Sequence, residues 1–237
     1  MKKLLFLLFA GISLAAAAQT KTIRDANAKP RTITGTFNAV AVETGVELFL
    51  TQGAETSLAV SMSDDKYADR YITEVKNGVL KIYFNSKGLS GNFRDRKLKA
   101  YLSVPALEKL TGASGSIVRT TNTLELTTID MDFSSGAMFN GAINAKEMSV
   151  SQSSGSMVNL SGSAITLKID LSSGSFFKGY DLQVDNCNAK ASSGSGVKVT
   201  INKELTATAS SGAGIQYKGS ATVRDINVSS GGRVKRG

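Results

Sequence analysis

Seven glycines, Gly115, Gly136, Gly155, Gly174, Gly194, Gly212 and Gly231, recur at intervals of 18 to 21 residues, each in the same local setting. The residue before each is Ser (Ser114, Ser135, Ser154, Ser173, Ser193, Ser211 and Ser230), and the one before that is Ser in every copy except Ala113. A small residue follows at Ser116, Ala137, Ser156, Ser175, Ser195, Ala213 and Gly232. Three places after each glycine stands an apolar side chain: Val118, Phe139, Val158, Phe177, Val197, Ile215 or Val234. A unit of about nineteen residues repeated in this way cannot bury its apolar face alone, so successive units must stack.

Upstream of each corner the chain alternates. Ile129, Met131 and Phe133 interleave with Asp130 and Asp132, and Leu167, Ile169 and Leu171 interleave with Lys168 and Asp170. A period of two marks a strand with one buried face. The equivalent positions hold Met148 and Val150, then Cys187, Ala189 and Ala191, then Leu205, Ala207 and Ala209, then Ile226 and Val228, with Gln152 as a polar exception. About nineteen residues are too few for a strand, a crossover helix and a return, and no interval carries a helical apolar period. The expected fold is therefore all-β: a parallel, right-handed β-helix whose like residues stack in columns at about 4.8 Å. Glycine at the corner supplies a positive φ, the small residue beside it lets coils approach, and stacked serines can hydrogen-bond one another and the bend's backbone.

The N-terminal half is β-rich but lacks this corner. Strands are expected over residues 37–42, 46–50, 58–62, 79–84 and 98–104. Asn77-Gly78 signals a hairpin turn, and a short helix is expected over Ser63 to Tyr71 with Ser63 as its N-cap. Thr44-Gly45-Val46 resembles a degenerate corner. The stretch from Asn85 to Lys97 is the least regular, and loops of that length are often functional or disordered. The expected organisation is a signal peptide over 1–18, an N-terminal segment over 19–34, irregular β coils over 35–111 and regular coils over 112–237.

Residues 1–18 read as a secretory signal: Lys2 and Lys3, the apolar run Leu4 to Leu14, and the small residues Ala15 to Ala18. The run is too short to span a bilayer, and no later segment is apolar enough to do so. Export implies the periplasm, the outer-membrane surface or the extracellular space. The only cysteine is Cys187, so no disulfide framework accompanies export, and its place in the inward column makes it a buried, inert thiol. The formal charge of +9 falls by two when the signal is removed. A moderate basic excess favours anionic partners, but the cations are scattered apart from residues 94–97 and 233–236, and no nucleic-acid motif accompanies them.

The Phe-x-x-Val-x-Val strand at Phe37, the segment Gly45 to Gly53, Asn77-Gly78-Val79-Leu80-Lys81-Ile82 and the recurring Ser-Gly-Ser corners together resemble the head GIN-domain family of putative auto-transporter adhesins, exported β-helix proteins of Bacteroidetes-type bacteria. The resemblance covers nearly the whole chain after the signal. It implies a β-helix with an adhesin-like role and carries no catalytic residues. No membrane-barrel segment is expected after the last corner, which argues against self-transport.

With no His in the chain, the Ser-His-Asp and Cys-His relays and histidine metal sites are excluded, and the serines have no base to activate them. Calcium-binding Gly-Gly-x-Gly-x-Asp repeats and a phosphate loop are also missing. A β-helix glycosidase or lyase would use outward carboxylates, here Asp130, Asp132, Asp170 and Asp225; Asp132 and Asp170 lie two coils apart, about 9.6 Å. An ordinary solvated face is the plainer reading of these residues. No catalytic, cofactor or metal residue is assigned. The function expected is a non-enzymatic, adhesin-like binding module at the cell envelope or outside the cell, with carbohydrate or another cell-surface component as partner. A glycan-active enzyme and a purely structural envelope protein are the alternatives.

Overall fold

The computed structural model describes residues 25–89 and 97–237. The expected signal peptide lies outside the described residues, as does most of the 85–97 stretch. No helix among the described residues is long and apolar enough to cross a membrane.

The strands in chain order are β1 (Lys29–Arg31), β2 (Ala39–Val42), β3 (Glu47–Gln52), β4 (Ser57–Ser61), β5 (Tyr71–Lys76), β6 (Val79–Phe84), β7 (Lys99–Val104), β8 (Lys109–Gly112) and β9 (Ile117–Thr120). They continue with β10 (Leu124–Phe133), β11 (Met138–Gln152), β12 (Met157–Leu171), β13 (Phe176–Ala191), β14 (Gly196–Ala209), β15 (Gly214–Lys218), β16 (Thr222–Val228) and β17 (Arg233–Arg236). From β8 onward each coil pairs in parallel with the next, which makes the fold a β-solenoid with coils of about nineteen residues.

Each corner is a tight turn with positive φ at two residues: 47–52° at the serine and 67–76° at the glycine. That pair marks a type I′ turn, and in the second regular coil the Ala137 N–H closes it on the Ser134 carbonyl at 3.0 Å. A Cβ on any of the seven corner glycines would meet nothing within 4 Å, so glycine is required there for its φ and not for space. The sequence pointed to the glycine alone; the left-handed serine beside it is an addition. Thr44-Gly45 repeats the geometry at φ 59° and 72°, a true eighth corner. The corners are tied together along the stack. Gly45 N–H donates to Ser114 O, Gly115 to Ser135 O, and so on to Gly212 and Ser230 O, at 3.0–3.1 Å.

The apolar column three places past the corner is continuous in register from Val118 through Phe139, Val158, Phe177, Val197 and Ile215 to Val234. All are buried except Val234, which is half-buried because no coil covers it. The residue just past each glycine is also buried, and at three corners its hydroxyl donates to the backbone one coil back: Ser156 Oγ to Phe133 O at 2.8 Å, Ser175 Oγ to Gln152 O at 3.3 Å and Ser195 Oγ to Leu171 O at 3.2 Å. At these corners the serines bond to backbone and not to one another. Gln152, the polar exception, is buried with its Nε2 donating to Phe176 O at 3.1 Å.

Cys187 is 5% exposed between Leu167 and Leu205, and burial alone pushes its thiol up to about 12. Both effects suppress the thiolate that reacts with disulfide reagents. The native protein is expected to resist labelling by a disulfide reagent at pH 8 for as long as it stays folded, and to react within seconds in denaturant; rapid native labelling would contradict this core position.

The N-terminal end departs from a simple succession of coils. β2 and β3 lie between β6 and β7 on one side and β8 and β9 on the other, so the first coil in sequence is the second in the stack. The outer coil is then closed by antiparallel strands, β5 on β6 through the Asn77-Gly78 hairpin, β4 on β7, and β1 on β4. The short helix expected over Ser63 to Tyr71 is a 3-10 turn over Asp65–Arg70, and its cap is Asp64, whose side chain accepts from Lys66 N at 3.0 Å. Asp64 is the residue placed two before that free N–H, as capping requires, and Ser63 is one too early.

Candidate functional site

The four outward carboxylates do not stand side by side on neighbouring coils. Asp132, Ser151, Asp170 and Lys190 share one column, so a serine separates the two acids and a lysine adjoins the second. Asp130 is tied to Lys109 Nζ at 2.9 Å, and Asp225 lies on β16 beside Thr206. In the depression around Asp130, Asn38 Nδ2 donates to Glu108 Oε2 at 2.6 Å.

A different face presents an open arrangement. Two places past the corner the outward column reads Ile117, Met138, Met157 and Phe176, then Gly196 and Gly214, then Arg233. Four apolar side chains on consecutive coils thus give way to two coils with no side chain, leaving a groove of about 480 Å³ whose lining includes Phe176, Lys178, Gly196, Lys198, Gly214 and Gln216. Phe176 forms one wall. It is 45% exposed, and its ring leans over Gly196 so closely that a Cβ there would lie 2.8 Å from ring carbon Cδ1.

The neighbouring outward column supplies Lys178, Lys198, Gln216 and Lys235. Beyond it the Tyr180 ring carries Lys218 Nζ at 4.4 Å and Lys198 Nζ at 5.8 Å from its centroid, and its hydroxyl donates to Gln216 Oε1 at 3.4 Å. These cation–π contacts draw the two ammonium groups to the Tyr180 ring. Chemically the site offers an apolar ring face, an amide and several cations in one shallow trough.

None of these residues was singled out from the sequence. The signal was there in the column two past each corner, where Gly196 and Gly214 replace larger apolar residues, but its meaning depends on knowing that this column faces outward beside a lysine row.

Fold and surface together define a repeat protein with an open groove on one outward face of a parallel stack. Residues 36–221 match the family described as putative auto-transporter adhesin, head GIN domain, and the chain belongs to that family. None of the curated proteins matches it significantly. Among solved structures it is similar to a putative adhesin from Bacteroides fragilis NCTC 9343, with a TM-score of 0.81, 17% identity and coverage of 88% of this chain and 95% of that one. A putative adhesin from Parabacteroides merdae ATCC 43184 has a TM-score of 0.69 at 14% identity, covering 90% and 97%. A putative lipid binding protein from Parabacteroides distasonis ATCC 8503 has a TM-score of 0.61 at 16% identity, covering 90% and 98%. At these identities the likeness establishes the fold.

Proposed function

We propose that this chain is a non-enzymatic, exported adhesin-like module, and that the Phe176 groove binds a cell-surface carbohydrate bearing negative charge. The observation that carries the reading is the exposed Phe176 ring leaning over Gly196, with open floor at Gly214 and with Lys178, Lys198 and Gln216 alongside. A pyranose ring can stack its C–H face on the aromatic, its hydroxyls can reach the Gln216 amide, and a carboxylate or sulfate on the sugar would meet the ammonium groups. Beyond the ring, the open floor at Gly214 accommodates one sugar unit. Family membership and the adhesin relatives support the binding role; the basic balance of the chain supports an anionic ligand.

The test is an array of neutral and uronic-acid-containing glycans probed with the protein lacking residues 1–18, followed by a turnover assay on every hit. Acidic glycans are expected to bind without product formation. Phe176→Ala and Gly214→Leu should each weaken binding at least tenfold, the first by removing the stacking face and the second by filling the floor, where a new Cβ meets nothing within 4 Å and the fold is undisturbed. Turnover would favour the glycan-active enzyme. No binding to any glycan would favour the structural envelope protein, and unchanged binding by both variants would remove the groove from the argument.

A further inference from the structure

The two ends of the solenoid differ. At the N-terminal end the last parallel coil is covered by antiparallel β4 and β5, and the outermost strand, β1, carries Lys29, Pro30 and Arg31, residues that discourage further pairing. At the other end β16 and β17 pair only with β14 and β15, and their outer edge has no strand on it among the described residues. All seven residues of β16 are exposed.

The apolar content of this edge is not that of a blunted one. Of the five large apolar residues exposed among the described residues, three lie on β16: Val223 at 38%, Ile226 at 42% and Val228 at 46%. They stand in register with Leu205, Ala207 and Ala209 of the buried column, so they point where the core of a further coil would lie. Stacked repeats need a polar terminal unit to stay apart from one another, and here the inward positions of the terminal unit are apolar. Ser229 N–H donates back to Ala209 O, so by the alternation of a parallel strand the N–H and C=O groups of Ile226 and Val228 point away from β14, toward the open side.

Charge selects the occupant. β17 carries Arg233, Lys235 and Arg236 with no carboxylate, while on β16 Arg224 is paired with Glu204 of β14 and Asp225 is the one acid. A second copy docked end to end would bring two such basic ends together, and like charges in apposition disfavour it. We infer that this edge receives an extended acidic segment of a partner protein, added as a parallel strand along β16 that covers Val223, Ile226 and Val228 and continues past the corner onto β17, where its carboxylates stand beside Arg233 and Lys235. Main-chain bonds supply the pairing and the charge pattern supplies the choice of strand. Its apolar part on β16 is separate from the Phe176 groove, whereas Arg233 and Lys235 stand in register with Gly214 and Gln216 at the groove's end.

The test uses two fluorescent peptides of alternating Val/Ile with either Glu or Lys, measured by anisotropy, with hydrogen exchange to locate the contact. The Glu peptide is expected to bind at least tenfold more tightly than the Lys peptide and to slow exchange at Ile226 and Val228. Val228→Asp and Lys235→Glu, both at exposed positions, should each weaken it at least fivefold, while Phe176→Ala leaves it unchanged. The inference is overturned by equal binding of the two peptides, by protection elsewhere in the chain, by no binding at millimolar peptide, or by sedimentation showing a dimer that protects this edge without any peptide.

Discussion

Phe177→Ala is expected to lower the free energy of unfolding by roughly 3–5 kcal/mol, the range for truncating a buried aromatic. Phe177 is 1% exposed in the middle of the seven-residue column, with Val158 on one side and Val197 on the other. Its ring also lies over Gly179, where a Cβ would come within 2.5 Å of Cε1, so the backbone has been left bare to receive it. Neither valine can reach into the space its removal opens, and the parallel ladders on both sides resist collapse of the coil. Lys178→Ala, one residue on and exposed, should change stability by less than about 0.5 kcal/mol. Chemical denaturation of the pair measures the register directly: similar midpoints would mean that inward and outward positions have been exchanged.

Gly162→Ala should cost roughly 3 kcal/mol or more, because two penalties coincide there. Its φ is +112°, far from what a side chain accepts, and a Cβ would stand 2.2 Å from the Ile143 carbonyl oxygen of the previous coil. That oxygen is backbone and part of a paired coil, so it cannot yield without opening the β11–β12 ladder. Gly174→Ala isolates the first penalty, since φ is +67° with nothing within 4 Å, and should cost about 1 kcal/mol. Comparing the two denaturation midpoints separates turn geometry from coil spacing; an equal loss at both sites would show that the close approach at Gly162 is relieved cheaply.

The repeat made the solenoid legible because period fixes register, and register fixes which side chains share a column. Val118 to Val234 and the inward Cys187 follow from counting, and the corner at Thr44-Gly45 from its local likeness to the others. What counting could not supply was order. β2 and β3 have the same alternation as any other coil, and nothing local says that a later segment will pack on their outer side, since that arrangement is decided by long-range pairing. The N-cap at Asp64 differs from Ser63 by one position, a distinction set by which side chain reaches Lys66 N. The groove stayed hidden for a different reason. Its residues are separated by about nineteen positions each, and glycines 196 and 214 signal a trough only once the stack sets Phe176 beside them.

The insertion of β2 and β3 between segments made later gives the molecule a mechanical polarity. Tension on the C-terminal side can peel coils away singly, each step breaking one rung of ladder and one glycine-to-serine corner bond. Tension on the N-terminal side must first strip β1 and β4 and then meets a coil gripped from both sides, which cannot leave until a neighbour does. The Phe176 groove, resting on β13 to β15, therefore sits in the part of the stack that yields first under load. A ligand seated across those coils would tie adjacent rungs together where the structure is easiest to unzip, so occupancy and resistance to pulling rise together.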